Sequence, residues 1–258
     1  MMNIYIVSLL KDSLKREIIG TVLNEFELKY QFVDAIYGKD MSPDLINSFN
    51  FDGKISNRGY KPTPGEIGCT LSHLKIFKLM LDNQDEWACI LEDDAILDAK
   101  FATFIKKFVH QKFDNKNVYM LGGQDGLAPR KFISMSLFHK VDNGKQSFSR
   151  VNFSEQYVNR TCCYVVSKHF AQKMLYLFEN KFYLADDWIS FKKAGVYNNL
   201  YISDFVAHPL DLTSSSIERE RQESLSHIKK NNRSAFFYLA KKIYLLIKYI
   251  KAQFMRIM

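Results

Sequence analysis

The stretch Trp87-Ala88-Cys89-Ile90-Leu91-Glu92-Asp93-Asp94 decides the fold, because an apolar run ends abruptly in three carboxylates. A short apolar run bounded by charge predicts a buried strand. Binding sites in open α/β sheets lie off the carboxyl ends of the strands, where these acids stand. Carboxylates there favour a site for a hard divalent cation that holds an anion such as a diphosphate. On this segment alone, an exposed acidic turn or a cap for a helix over 99–109 explains the acids equally well.

The beginning of the chain predicts an α/β fold. Residues 3–10 are rich in Ile, Val and Leu and predict a first buried strand. Residues 12–26 place apolar side chains on one helical face, and residues 31–36 predict a second strand. This order is typical of a βαβ unit. We therefore predict a mostly parallel central sheet flanked by helices, with no assignment for residues 126–154.

The positive charge of the chain is confined to its end. Residues 229–258 hold eight Lys or Arg and no acid, whereas the rest carries 28 basic and 28 acidic residues, so the net charge is +8. A neutral body is not typical of a nucleic-acid-binding protein. We therefore expect no nucleic-acid partner, and we attribute the basicity to a separate tail.

The cysteines and the hydropathy pattern indicate the cellular compartment of the protein. The four cysteines show neither a metal-binding spacing nor a disulfide framework, and three of them lie in or beside apolar runs. Buried free thiols suit a reducing cytoplasm. The N-terminus lacks the basic region of a signal peptide, and no uncharged apolar run approaches the ~20 residues of a membrane span.

The block Gly65-Glu66-Ile67-Gly68-Cys69-Thr70-Leu71-Ser72-His73 is a candidate ligand-binding segment. Gly68 allows close approach of a backbone to a ligand. Ser72 and His73 offer side chains that hydrogen-bond a nucleotide or a ribose. The alternative is the start of a helix that carries a surface histidine.

Two later segments offer further polar candidates. Asp186 and Asp187 follow an aromatic cluster, and a carboxylate beside aromatic rings is suited to take a proton from a sugar hydroxyl. The alternative is an N-cap for a helix over 188–193. His208 follows a strand-like run, and neutral imidazole is a common ligand of Mn²⁺-like ions. A buried or surface histidine without a ligand is the alternative.

Taken together, the Gly-Glu-Ile-Gly-Cys-Thr-Leu-Ser-His block, the Ile-Leu-Glu-Asp-Asp block and the late Ala-Asp-Asp-Trp block resemble glycosyltransferase family 25. This family contains the lipopolysaccharide and lipooligosaccharide glycosyltransferases of Gram-negative bacteria. The opening run 4–9 with Arg16 is similar to the first nucleotide-binding strand of that family. The resemblance extends over residues 3–216, and the order and spacing of the blocks carry it.

The resemblance implies a GT-A-like, Rossmann-like fold, a UDP-hexose donor and inversion to a β-linkage. It places Glu92-Asp93-Asp94 at the DxD metal motif, with Glu92 where the family has its first Asp. On this basis we favour Asp94 as the direct ligand of Mn²⁺, or alternatively Mg²⁺, with Glu92 bound directly or through water and Asp93 directed toward the ribose. His208 is a further candidate ligand, from its residue type and not from the resemblance. The resemblance makes Asp187, or Asp186 if the loop turns the other way, the base. The implied contacts of the sugar nucleotide are Ser8, Leu9, Arg16, Gly68, Ser72, His73 and Asp93.

The end of the chain predicts a basic amphipathic helix. From residue 236 on, apolar positions fall on one helical face and Lys and Arg on the other, with tyrosines at the boundary. We divide the chain into a GT-A catalytic domain, 1–216, and a helical tail, 217–258. This composition is typical of an interfacial anchor, so residues 233–258 are expected to contact an anionic membrane. A helix packed on the catalytic domain or a dimer contact is the alternative.

These observations favour a cytoplasmic enzyme that lies on the inner face of the bacterial inner membrane. We expect it to transfer a hexose from a UDP-sugar to a lipid-linked oligosaccharide, and the hexose that we expect is galactose. One rival is a metal-dependent phosphoesterase or nucleotidyltransferase that uses the same carboxylates. A second is a membrane-associated protein that binds a sugar nucleotide without turnover.

Overall fold

A computed structural model describes residues 2–49, 61–108, 112–143, 146–211, 215–226 and 235–258. Eight strands form one sheet in the order β2-β1-β3-β7-β4-β8-β6-β5. The strands are β1 (Asn3–Ser8), β2 (Tyr30–Asp34), β3 (Trp87–Glu92), β4 (Val118–Gly122), β5 (Met135–Asn143), β6 (Gln146–Val151), β7 (Cys163–Ser167) and β8 (Leu200–Val206). The helices are α1 (Ser13–Glu25), α2 (Pro43–Ser48), α3 (Pro64–Asp82), α4 (Ala99–Phe108), α5 (Lys168–Asn180), α6 (Trp188–Lys193), α7 (Ser216–Ser226) and α8 (Ala235–Met255).

The sheet is mixed, and most of its strands share one direction. β1 runs parallel to β2 and β3, and β4 runs parallel to β8. β7 is antiparallel to β3 and β4, and β6 is antiparallel to β8 and β5. Six of the eight strands in the described part of the chain therefore point the same way. The predicted α/β class, with a mostly parallel sheet, is confirmed.

Helices cover both faces of the sheet. Phe77 of α3 and Phe170 of α5 belong to one buried cluster, and Leu23 of α1 and Phe104 of α4 belong to the other. Successive residues of β3 alternate between the two clusters, as the period of a strand requires. This double burial explains why the strand reads as a continuous apolar run.

Several elements depart from the sequence expectation. The unassigned region 126–154 contains β5 and β6, which pair as an antiparallel hairpin beside β8. α3 begins at Pro64, where Thr63 and Glu66 form a capping box. The residues after 216 form two helices, of which α7 contacts α3. The domain boundary at residue 216 stays a prediction.

The C-terminal amphipathic helix α8 is present, and its last turns are attached to the hairpin. The carbonyl oxygen of Ala252 accepts a hydrogen bond from Ser134 Oγ at 2.8 Å. That of Met255 accepts one from Asn152 Nδ2 at 2.9 Å. Among the described residues, the structure contains no helix long and apolar enough to cross a membrane.

We predict that Gly68→Ala destabilises the protein, whereas Gly20→Ala does not. Both glycines lie inside helices. A Cβ at Gly68 would meet the carbonyl oxygen of Ile36 and lie 2.8 Å from the backbone nitrogen of Gly38. A Cβ at Gly20 would meet the hydroxyl end of Tyr30, which is able to shift.

Gly68→Ala should therefore lower the free energy of unfolding by about 1–3 kcal/mol. The control Gly20→Ala should stay within about 1 kcal/mol of the parent, because alanine is the better helix former. Urea unfolding followed by circular dichroism measures both values. Equal stability of the two variants would contradict the close backbone approach at Gly68.

Candidate functional site

A cleft of about 1000 Å³ opens where β1 and β3 end. Most of the residues that the sequence singled out contribute to its wall, namely Ser8, Leu9, His73, Glu92, Asp93, Asp94, Asp186 and His208. Arg16, Gly68, Ser72 and Asp187 are not part of the wall. The structure thus brings together side chains that are far apart in the sequence, at the edge of the sheet that the strand directions predict.

Glu92, Asp94 and His208 form a cluster of candidate metal ligands, here called the metal-ligand cluster. Each offers one ligand atom, and these three atoms lie within 4.8 Å of one another. His208 reaches the cluster because the residue before it, Ala207, pairs with Ile96 in an isolated bridge. The predicted metal ligands are therefore neighbours in the fold.

The contacts of His208 leave one ring nitrogen for a cation. Its Nδ1 lies 2.8 Å from the carbonyl oxygen of Pro209, so Nδ1 carries the proton in this arrangement. Its Nε2 lies 3.5 Å from Asp94 Oδ2, and when the ring is neutral both of these atoms are acceptors. Asp94 Oδ1 is buried and has no hydrogen-bond partner within the described ranges. Facing acceptors without a donor between them fit a bound cation.

Glu92 completes the cluster from the end of β3. Thr161 Oγ1 donates to Glu92 Oε1 at 2.5 Å. Burial raises the pKa of Glu92 to about 7, and the negative charge of Asp94 adds to the rise. Two carboxylates and one imidazole are a donor set that suits Mn²⁺. The residues of the cluster therefore fit a divalent cation.

Asp93 points away from this cluster and is held by the first strand and helix. Ser8 Oγ donates to Asp93 Oδ2 at 2.7 Å, and Lys15 Nζ lies 3.4 Å from Asp93 Oδ1. Burial raises the pKa of Asp93, although the contacts with Ser8 and Lys15 act in the opposite direction. The side chain of Asp93 is thus held by Ser8 and Lys15, and its predicted contact with the ribose stays a prediction.

Arg16 lies outside the cleft wall and holds Ser8 in position. Its Nη2 donates to the carbonyl oxygen of Ser8 at 2.7 Å and to Asp34 Oδ1 at 2.6 Å. Its Nε lies 3.2 Å from Ser8 Oγ. The guanidinium therefore positions Ser8, the residue that in turn holds Asp93.

Gly68 and Ser72 support the cleft wall and do not form part of it. The Ser72 hydroxyl donates to the carbonyl oxygen of Gly68 at 2.6 Å and accepts from the backbone N–H of Ile36 at 2.8 Å. Ser72 is fully buried. The structure thus gives both residues a packing role between α3 and the segment after β2, in place of the predicted nucleotide contact.

The structure places the two adjacent candidates for the base differently. Asp186 lines the cleft, and its Oδ2 accepts from the backbone N–H of Arg160 at 3.1 Å. Asp187 instead caps α6, where its Oδ1 accepts from the backbone N–H of Ser190 at 3.3 Å. The helix-cap alternative therefore applies to Asp187, and Asp186 is the carboxylate that faces the cleft.

Arg160 is a cleft residue that the sequence analysis missed, because an isolated arginine before a strand carries no pattern. Its Nη1 donates to the carbonyl oxygens of Gly123 and Asp125, each at 3.0 Å. Its backbone adopts a φ of 65°, a left-handed conformation that is uncommon for a residue other than glycine. Burial lowers its pKa, and the nearby carboxylates oppose that change. A guanidinium held in this way suits an anionic ligand.

A second missed contact ties α7 to the cleft. Arg221 Nε donates to Glu66 Oε1 at 2.7 Å, and Glu220 Oε2 accepts from the backbone N–H of Gly65 at 2.8 Å. Both contacts reach the first turn of α3. The helix after residue 216 therefore forms part of the cleft wall.

Comparison with known proteins identifies several similar chains. Procollagen galactosyltransferase 2 of Homo sapiens is 26% identical over 177 residues, which cover 67% of this chain and 27% of that protein. Procollagen galactosyltransferase 1-A of Xenopus laevis is 27% identical over 42% of this chain and 18% of its own length. This chain thus spans about a fifth to a quarter of these two relatives.

Two further similarities cover more of the chain. A Haemophilus influenzae protein, named a glycosyltransferase without donor or acceptor in that name, is 24% identical over 88% of this chain and 79% of its own length. A solved glycosyltransferase involved in the glycosylation of the major capsid of PBCV-1 has a TM-score of 0.41 and 8% identity, and covers 87% of this chain and 98% of that one.

The decisive match is to a family model. The model of glycosyltransferase family 25, described as an LPS biosynthesis protein, matches residues 1–189. These residues are well over half of the chain, and they contain β1, β3 and the two acidic segments that meet in the cleft. The chain therefore belongs to glycosyltransferase family 25.

Proposed function

We propose that this chain is an inverting glycosyltransferase that moves galactose from UDP-galactose to a lipooligosaccharide or lipopolysaccharide acceptor and forms a β-glycosidic bond. One observation carries the proposal: a single cleft contains the metal-ligand cluster of Glu92, Asp94 and His208 and also a separate carboxylate, Asp186. The description of the family as LPS biosynthesis proteins supports the acceptor class. The names of the galactosyltransferase relatives support the donor sugar.

The metal-ligand cluster and Arg160 are suited to the diphosphate of the sugar nucleotide. Glu92, Asp94 and His208 would hold Mn²⁺, with Mg²⁺ as the alternative, and the ion when bound neutralises charge on the leaving diphosphate. The guanidinium of Arg160 lines the same cleft and offers N–H donors to phosphate oxygens. Its position is fixed beforehand by two carbonyl oxygens, so little reorganisation is needed during the reaction.

Asp186 is the residue that we assign as the general base. In an inverting displacement, the acceptor hydroxyl attacks the anomeric carbon from the face opposite the diphosphate. The new C–O bond forms as the bond to the UDP oxygen breaks, and the hydroxyl proton passes to the carboxylate of Asp186. The backbone N–H of Arg160 orients that carboxylate. Asp187 is occupied with capping α6.

A transfer assay tests the proposed reaction. The purified full-length chain is incubated with truncated lipooligosaccharide and with UDP-galactose, UDP-glucose or UDP-N-acetylglucosamine, and UDP release is measured with and without Mn²⁺. We expect acceptor-dependent release of UDP that is fastest with UDP-galactose. Release of inorganic phosphate or pyrophosphate in place of UDP would favour the phosphoesterase or nucleotidyltransferase.

In the same assay, Asp186→Asn should lower kcat by about 10²–10⁴-fold, because an amide does not accept the hydroxyl proton. Asp187→Asn is the matched control. Asparagine is as good an N-cap as aspartate, so this variant should keep kcat within a few-fold of the parent. Loss of activity in Asp187→Asn with retention in Asp186→Asn would transfer the role of base to Asp187.

Binding of Mn²⁺ tests the metal-ligand cluster independently of turnover. Asp94→Asn should weaken the Mn²⁺ affinity, measured by titration calorimetry, by at least about tenfold, because it removes a charged ligand. Asp93→Asn is the control, since both oxygens of Asp93 already contact Ser8 and Lys15. Equal loss of Mn²⁺ affinity in the two variants would argue against this choice of ligands.

We further propose that α8 lies on an anionic membrane and that the protein is cytoplasmic and peripheral on the inner face of the bacterial inner membrane. At 100° per residue, Ile243, Ile247, Ile250 and Phe254 fall on one stripe of α8, and all four are exposed. Ala252, on the opposite side of the helix, is buried against the body. The apolar stripe therefore faces outward.

Charge on α8 complements an anionic surface. Lys242 and Lys251 are exposed and flank the apolar stripe on either side. Each such residue contributes about 1 kcal/mol near an anionic membrane. A lipid-linked acceptor lies at that surface, so this orientation would bring the cleft to its substrate.

The double variant Ile247→Asp/Phe254→Asp should reduce co-sedimentation with anionic vesicles by at least about tenfold, because two apolar side chains no longer enter the interface. The control is Leu14→Asp/Tyr176→Asp, which adds the same charge at side chains of similar exposure elsewhere (67% and 69%, against 58% and 70%). Equal vesicle binding of both double variants would exclude α8 as the membrane contact.

A further inference from the structure

We propose that Cys69, His73 and Glu92 form a second metal site in the cleft wall, which takes Zn²⁺ and shares Glu92 with the cluster of Glu92, Asp94 and His208. One ligand atom from each of the three residues lies within 4.8 Å of the others. All three residues line the cleft, so the site has an entry path.

The positions of the ligands follow from secondary structure. Cys69 and His73 are four residues apart on α3, so their side chains project from the same face of the helix. Glu92 approaches that face from the end of β3. His73 Nε2 lies 4.0 Å from Glu92 Oε1, which leaves room for a cation between the two atoms.

The imidazole of His73 points to a missing partner. Its side chain is 2% exposed, and Nε2 has no hydrogen-bond partner among the described residues. The hydroxyl of Tyr164 lies 2.8 Å from Nδ1 and fixes the orientation of the ring. A buried polar atom without a partner is unfavourable, and a bound cation removes that cost.

The thiol of Cys69 selects the metal. Thiolate ligands favour Zn²⁺ and Co²⁺, whereas Mg²⁺ and Mn²⁺ favour oxygen. When Zn²⁺ binds, the bond to Sγ forms as the thiol proton leaves to solvent. Three protein ligands leave the fourth tetrahedral position for a water molecule from the cleft.

Sharing of Glu92 gives the second site a consequence for the first. A Zn²⁺ ion that draws Glu92 toward Cys69 and His73 removes one ligand from the cluster with Asp94 and His208. Zn²⁺ and Mn²⁺ would therefore compete through one carboxylate, and Zn²⁺ would inhibit a Mn²⁺-dependent reaction in the cleft.

Metal titration of the full-length chain tests the second site without reference to turnover. Co²⁺ should give the thiolate charge-transfer absorption in the near ultraviolet with the parent and not with Cys69→Ser. Loss of a group that only supports a ligand costs about 10–100-fold in metal affinity. Loss of the thiolate itself should therefore weaken Zn²⁺ binding, measured by competition with a zinc chelator, by at least about 100-fold.

Cys162→Ser is the matched control, because Cys162 is a buried thiol that lies close enough to Glu92 and Asp94 to feel their charge. It should keep the Co²⁺ absorption and the Zn²⁺ affinity, and thermal unfolding verifies that both variants are folded. Absence of the absorption in the parent, or its persistence in Cys69→Ser, would overturn the proposal. Its loss in a folded Cys162→Ser would overturn the assignment to Cys69.

Discussion

Parallel pairing of β1 with β3 sets Val7 opposite Glu92, so the two strands end at the same edge of the sheet. Ser8 then lies beside the acidic turn and donates to Asp93. Arg16, one turn into α1, holds Ser8 in that position. Because Asp93 is occupied in this way, Glu92 and Asp94 are the carboxylates that remain for a cation. The pairing of two buried strands therefore decides which acids lie together with His208 and which acid is held by Ser8 and Lys15.

The antiparallel strand β7 contributes a second side of the cleft. Since β7 runs opposite to β3, its amino end lies at the edge where β3 finishes, and the backbone N–H of Glu92 donates to the carbonyl oxygen of Cys162. Thr161 and Arg160, which precede β7, are thereby delivered to the acidic turn. A parallel strand at this position would place the same residues at the opposite edge. One reversed strand in a mostly parallel sheet thus lets distant segments converge.

The sequence predicts the individual elements well because their patterns are local. The apolar run of β3, the amphipathic face of α1 and the stripe of α8 each follow from periodicity within a short segment. Long-range pairing has no such signal, so the hairpin of β5 and β6 and the cleft contacts of α7 were not predicted. Asp186 and Asp187 stand side by side, and only the start of α6 decides which of them caps the helix. The four-residue spacing of Cys69 and His73 places both side chains on one face of a helix and is a local signal for a pair of metal ligands. A search restricted to paired cysteines does not detect it.

The balance of charge in the cleft is consistent with the proposed cation there. Three basic side chains approach the acids, yet each is engaged elsewhere: Lys15 contacts Asp93, Arg160 donates to two carbonyl oxygens, and Arg221 contacts Glu66. Glu92 and Asp94 are left to repel each other, which is part of why the pKa of Glu92 rises to about 7. Burying uncompensated charge is costly, and natural sequences accept that cost mainly at functional sites. A divalent cation bound there would relieve the repulsion between the two carboxylates.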